Sequence, residues 1–149
     1  MKKIILTALL IMFGFSLSAN ADTIGYADFQ KVLTDYTYAR NAYKDIDNKL
    51  SELQQYAIDK DKQYKNLESP IQKKSFEDQT QREFQAKEER IYNLKNQKEE
   101  IIRNNILNAC KAVAATKKLD AIVDGGVIYA GGVDVTNDII QYLNSHPQK

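Results

Sequence analysis

Apolar residues recur along the first half of this chain at alternating steps of four and three. The series runs Val32, Tyr36, Ala39, Tyr43, Ile46, Leu50, Leu53, Ala57, Lys60, Tyr64 and Leu67, with Lys60 its one charged member. Sustained over about five heptads, this repeat is a coiled-coil seam, narrower than the stripe of a helix lying on a globular core. The segment is therefore expected to wrap a partner helix. "LESPIQKK", residues 67–74, then reads as a stop and restart. Pro70 lacks an N–H and suits a first helical position, while Ser69 and Gln72 have the spacing of a capping box. From Pro70 to Lys118 no further Gly or Pro interrupts the chain. A helix of that extent is about 70 Å long and is the natural partner of the first.

The second helix has a weaker seam: Phe84, Ile91, Leu94, Ile102, Ile106, Ala109 and Val113, with residues 72–90 nearly all polar. The two helices are thus expected to form an antiparallel pair, well packed at its base and thinly packed and mobile at its tip. Between Asp59 and Glu100 the acidic and basic residues are equal in number and interspersed, as on a solvated face. Four aromatics, Tyr38, Tyr56, Phe76 and Tyr92, fall off the seams. They are the candidate contact points for apolar segments of another chain, because a broad, adaptable surface suits unfolded partners better than a shaped pocket.

The chain closes on "LDAIVDGGVIYAGGVDVTNDIIQYLN", residues 119–144. Asp124-Gly125-Gly126 between β-branched runs predicts a β-hairpin, which is marginal in water by itself. A short strand is expected at Thr23–Ala27, followed by Asp28 as a helix N-cap. Asp134 or Thr136 is expected to start a last helix with Val135, Ile139, Ile140 and Leu143 on its apolar face. Roughly 40 residues from the two ends are too few for a self-sufficient core. The fold class read from these patterns is mainly α with a small β body: a long antiparallel coiled-coil hairpin plus three short strands whose core is shared among copies. Ile24, Tyr26, Ile122, Val123, Val127 and Tyr129 are the candidate oligomer core. Residues 22–34 and 119–149 form the body in this reading, and residues 35–118 form the arm, with its tip near 68–75.

The first 21 residues combine Lys2 and Lys3, an apolar run from Ile4 to Leu17, and small residues at Ala19 and Ala21. That is the make-up of a cleavable signal peptide, its apolar run shorter than the roughly 20 residues a spanning helix needs. Cleavage would leave a chain starting at Asp22, with 19 basic against 20 acidic residues and a net charge of −1. So balanced a chain is not a general nucleic-acid binder. One cysteine, Cys110, can form no bridge within its own chain and reads as a buried thiol. Nothing supports an enzyme: Asp120, Asp124, Asp134 and Asp138 are accounted for by turn, cap and strand positions, His146 lies beside Pro147 near the end of the chain, and the glycines read as turn residues. No catalytic group, metal or cofactor is implied.

"IGYADFQKVL" at the start, "SELQ" at Ser51–Gln54, "SPIQKK" at Ser69–Lys74 and the closing segment together resemble the OmpH-like periplasmic chaperones, across essentially all of the chain after the leader. The resemblance implies a homotrimer with a β-barrel body and three helical tentacles around a cavity. It further implies an ATP-independent holdase for unfolded outer-membrane β-barrel proteins, located in the periplasm. Because the arm is balanced in charge, contact with lipopolysaccharide or a membrane surface is not carried over. The competing expectation is a periplasmic coiled-coil spacer that docks on one folded partner.

Overall fold

The computed structural model describes residues 23–146, so the signal peptide expected at residues 1–21 lies outside the described residues. Strand β1 (Ile24–Ala27) leads into helix α1 (Phe29–Asp35) and the two long helices α2 (Thr37–Lys65) and α3 (Pro70–Lys117). Strand β2 (Ala121–Asp124), a single 3-10 turn (Gly125–Val127), strand β3 (Val133–Asp134) and helix α4 (Thr136–Ser145) complete the chain.

Helix α1 starts where the sequence predicts. The Asp28 carboxylate accepts from the Lys31 N–H at 2.9 Å and supplies one of the acceptors a helix start lacks. The expected continuous helix through Tyr36 is interrupted, however. Tyr36 is extended (φ −76°, ψ 111°) and almost fully buried, and its hydroxyl accepts from Asn105 Nδ2 on α3 at 3.0 Å. Asn144, in the last turn of α4, bridges this break. Its Oδ1 accepts from the Thr37 N–H at 2.9 Å, and its Nδ2 donates to the Asp35 carbonyl at 3.0 Å. An amide reaching across more than one hundred residues thus satisfies two backbone groups at the kink, which is invisible to any local pattern.

The three strands form one all-parallel sheet in the order β2-β1-β3. The expected hairpin is therefore overturned: β2 pairs with β1 from Ile24↔Ala121 to Ala27↔Asp124, and β3 pairs with the other side of β1. The cause lies at the Asp-Gly-Gly site. Asp124 Oδ1 accepts from the Gly126 N–H at 2.8 Å, closing a turn with its own side chain, and neither Gly125 nor Gly126 takes positive φ. Those conformations fall instead at Gly131 (80°) and Gly132 (84°), after which the chain reaches the far side of β1. At Gly132 the positive φ strains any side chain, and a Cβ would also stand 3.2 Å from the Ile24 carbonyl oxygen, so glycine is favoured there. The arm itself serves as the long crossover that parallel pairing demands between β1 and β2.

The core sits at this end of the molecule. Ala27, Val32, Tyr36, Ala39, Val135 and Ile139 are each 1% exposed or less, and Ala109, Val113 and Leu143 close around them. Gly25 is buried against α3's end, where a Cβ would lie 2.6 Å from Leu119 Cδ1. Helix α4, whose last turn Asn144 fixes at the kink, is also tied down at its start. Asp134 Oδ1 accepts from the N–H and hydroxyl of Thr136, whose hydroxyl in turn accepts from the Asp28 N–H. Lys117 meets Asp138 at 2.9 Å.

Away from the body the buried residues run out. On α2 the last is Ile46, and on α3 the first is Ile102. The reversal between the arms occupies residues 66–69, and Pro70 takes the first turn of α3 as expected. The expected capping box is not made: Ser69 sits at the N-cap without a side-chain cap bond, and only its carbonyl engages, accepting from the Lys73 N–H.

Candidate functional site

The face of α2 that meets α3 takes only part of the four-three series. Alternate members of that series, Ala39, Ile46, Leu53 and Lys60, turn inward. Between them it is Ala42, Lys49 and Tyr56 that are covered, while Tyr43, Leu50 and Ala57 are exposed. One position of rotation at every second step separates the two, because an apolar residue stands on both sides of the true seam. Helix α2 consequently carries a second apolar line, Tyr43 (38% exposed), Leu50 (49%) and Ala57, facing outward with Ile58 beside it (44%).

Nearer the tip, polar chemistry replaces apolar packing. The Tyr56 hydroxyl donates to Glu83 Oε2 at 2.5 Å, and Lys60 Nζ reaches the same oxygen at 3.2 Å. Lys60 also lies over the rings of Tyr56 and Phe76, at 5.2 and 5.3 Å from their centroids, and Lys87 covers Tyr56 from α3 at 4.9 Å. The charged exception in the seam is thus the centre of an inter-arm cluster. Donation from Tyr56, then from Gln79 and Lys60, holds the Glu83 carboxyl at about 2, well below the usual carboxylate range. Glu83 in turn raises Lys60, while burial, followed by the bond to Glu83, pushes the Tyr56 hydroxyl up.

The four candidate contact aromatics occupy different settings. Tyr38 packs on Tyr36 at 5.9 Å and under Lys98. Tyr56 lies in the cluster just described, and Phe76 faces Tyr64 at 6.4 Å across the arms. Only Tyr92, 64% exposed, offers its ring to solvent. The candidate body residues are spread differently. Tyr26, Ile122 and Val123 are partly covered, whereas Ile24 (41%), Val127 (65%) and Tyr129 stand open, the last completely. Val133, on β3, joins them at 40%. The sequence pattern did not single out Val133, and it placed Tyr43, Leu50 and Ala57 in the inward seam, whereas the structure turns them outward.

The remaining polar candidates have structural employment. Asp120 Oδ2 accepts from the Thr23 N–H, and Asp124, Asp134 and Asp138 make the contacts given above. His146 stacks on Tyr142 at 4.2 Å. Cys110 is half-buried, and burial pushes its thiol up, away from reactive thiolate. Among the described residues no group of His, Cys, Asp and Glu is placed to hold a metal ion, and no helix is long and apolar enough to cross a membrane.

A family model described as "Outer membrane protein (OmpH-like)" matches residues 23–143. No curated protein matches the chain's sequence significantly. Among solved structures, one from Caulobacter crescentus CB15, described as an OmpH-like outer membrane chaperone, is similar in fold. Its TM-score is 0.50 at 10% identity, with 89% of this chain and 90% of that chain covered.

Proposed function

We propose that this chain, which belongs to the OmpH-like family, is an ATP-independent periplasmic holdase that keeps unfolded outer-membrane β-barrel proteins apart. In this reading it assembles as a homotrimer through a shared β body, residues 22–34 and 119–149, with residues 35–118 projecting as tentacles around a cavity. The leader at residues 1–21 would deliver it to the periplasm. The related fold from Caulobacter crescentus, described as an outer membrane chaperone, supports the functional class.

The observation that carries the reading is the open apolar surface of the body. Tyr129, Val127, Ile24 and Val133 are each exposed, and β2 and β3 are the outer strands of a three-stranded sheet. Apolar surface beside unpaired strand edges is an association site or an aggregation site, and copies of the chain can close it. Assembly would set several arms side by side, with the outward line of Tyr43, Leu50 and Ile58 on each. An unfolded barrel strand alternates apolar and polar residues and aggregates through its edges. Many weak contacts from several arms hold it by avidity without reading a sequence. Release needs no hydrolysis, because each contact is weak and folding into a membrane gains the client more.

Light scattering on a urea-unfolded porin diluted into buffer tests this. The processed chain should suppress scattering in proportion to its concentration and should leave a folded porin unbound. Saturable binding of a native protein with no effect on unfolded porin would replace the holdase by a spacer docking on a folded partner.

A further inference from the structure

Between the arms, just short of the tip, runs an open groove of about 600 Å³, walled by the rings of Tyr64, Phe76 and Phe84. Three carboxylates, Asp61, Glu77 and Asp78, line it against a single ammonium, Lys60, which Glu83 already engages. Asp61 pairs with Lys65 at 2.6 Å, but Glu77 and Asp78 form no ion pair among the described residues. Glu77 stands beside the Tyr64 hydroxyl and pushes its ionisation up. The groove therefore combines aromatic faces with an excess of negative charge.

Two further observations indicate what belongs there. Thr80 lines the groove, and its buried Oγ1 has no hydrogen-bond partner. Thr34, Ser51 and Thr116 each donate to the carbonyl four residues earlier, the usual refuge of a helical hydroxyl, so Thr80 stands apart from them. A buried hydroxyl left unpaired is costly, and a ligand donor would repay that cost. In addition, the chain's own lysines already sit over these rings: Lys60 over Phe76 at 5.3 Å, and Lys73 over Tyr64 at 5.4 Å. Lys60 is anchored by Glu83, whereas Lys73 makes no ion pair among the described residues and can give way.

We infer that this groove seats the cationic side chain, arginine above lysine, of an extended segment of an unfolded chain. The inference deepens the holdase reading and rests on it for the source of that segment. The flat guanidinium stacks on the aromatic walls, directs its N–H groups to Glu77 and Asp78, and offers a donor to Thr80 Oγ1. Flanking apolar side chains of the segment lie along Ala57 and Phe84. An acidic segment meets repulsion at the same place, so the arms would prefer clients by charge although they read no sequence.

Fluorescence anisotropy with the full processed chain tests this. The probes are three labelled twelve-residue peptides of alternating Val and Ser, carrying two Arg, two Gln or two Glu at the same positions. The Arg peptide should bind about tenfold more tightly than the Gln peptide at low salt, and the Glu peptide least. The double variant E77Q/D78N should bring the Arg peptide down to the Gln level, and Lys73→Ser should tighten Arg binding by removing the resident cation. Equal binding of Arg and Gln peptides, or an Arg preference that survives E77Q/D78N, overturns the inference. Should the double variant lose its helicity, NMR shifts in the unaltered chain decide: Arg-specific shifts at Thr80, Phe76 and Phe84 support the seat, and their absence refutes it. Porin scattering is read separately. An Arg preference in a chain that fails to suppress aggregation would keep the groove and discard the holdase, whereas suppression without any Arg preference would do the reverse.

Discussion

The two ends of this molecule are held by different physics. At the body, β1, α1, α4 and the root of the arm bury Val32, Tyr36, Val135 and Ile139 almost completely. Toward the tip, the arms meet through Tyr56, Lys60 and Glu83, none of them buried, and through rings stacked under lysines. Burial of apolar area is not screened by salt and is stiff, because every lost methylene leaves a void. An exposed charged cluster is screened, adjustable and cheap to open. The comparison teaches that the chain stores its stability where copies would join and keeps its freedom where a client would be met.

The contrast can be broken most sharply at the body. Ile139→Ala removes a fully buried side chain, and comparable core truncations cost 2–5 kcal/mol, so urea unfolding at fixed chain concentration should show a loss of about 3 kcal/mol. A loss under about 1 kcal/mol would mean that this core is not where the stability lies. Next comes the kink. Asn144→Ala removes the side chain that bridges the exposed Thr37 N–H and Asp35 carbonyl and should cost about 1 kcal/mol, with faster amide exchange at Thr37. Unchanged exchange at Thr37 would show that water replaces Asn144 without penalty.

The tip responds to conditions rather than to volume. The Glu83 carboxyl is held at about 2 in the folded chain against an ordinary value of 4.5. A depressed carboxyl contributes stability that is present in full above its unfolded value and is lost as pH falls through the folded one. Amide protection between residues 56 and 64 should therefore persist at pH 5 and drop between about 4.5 and about 2, and Glu83→Gln should abolish that step. A drop already complete at pH 5 would contradict the cluster. The smallest effect is expected at Tyr92, whose ring touches solvent: Tyr92→Ser should change stability by no more than about 0.5 kcal/mol while weakening client retention.

Much of this asymmetry was legible in the residues. The heptad repeat, Pro70 at the restart and the uninterrupted run to Lys118 define two paired helices, and the thinning of apolar residues toward residue 69 matches the burial that ends at Ile46 and Ile102. The first helical turn was legible because Asp28 acts on its own neighbours. What local pattern could not carry was long-range: the parallel sheet, which needs β1 between two segments nearly a hundred residues away, and the kink that Asn144 bridges. Asp124-Gly125-Gly126 misled because an aspartate side chain can close a turn that is not a hairpin. The seam misled by one position because α2 is apolar on two adjoining lines, and the inward one includes Tyr56, which the heptad excluded. At the candidate site, residue types were readable but their settings were not: of Tyr38, Tyr56, Phe76 and Tyr92, three are engaged by neighbouring rings, lysines or Glu83.

The central claim is that the exposed body surface joins copies of the chain and that the joined arms then hold an unfolded client. Native mass spectrometry of residues 22–149 tests it most directly, alone and after dilution of a urea-unfolded porin, beside the variant carrying Val127→Ser and Tyr129→Ser. The account predicts a three-chain species that captures one porin chain and ignores the folded porin, and a variant that stays folded as monomers and captures none. A monomer that captures porin as well as the unaltered chain does, or a trimer untouched by the two substitutions, would contradict it.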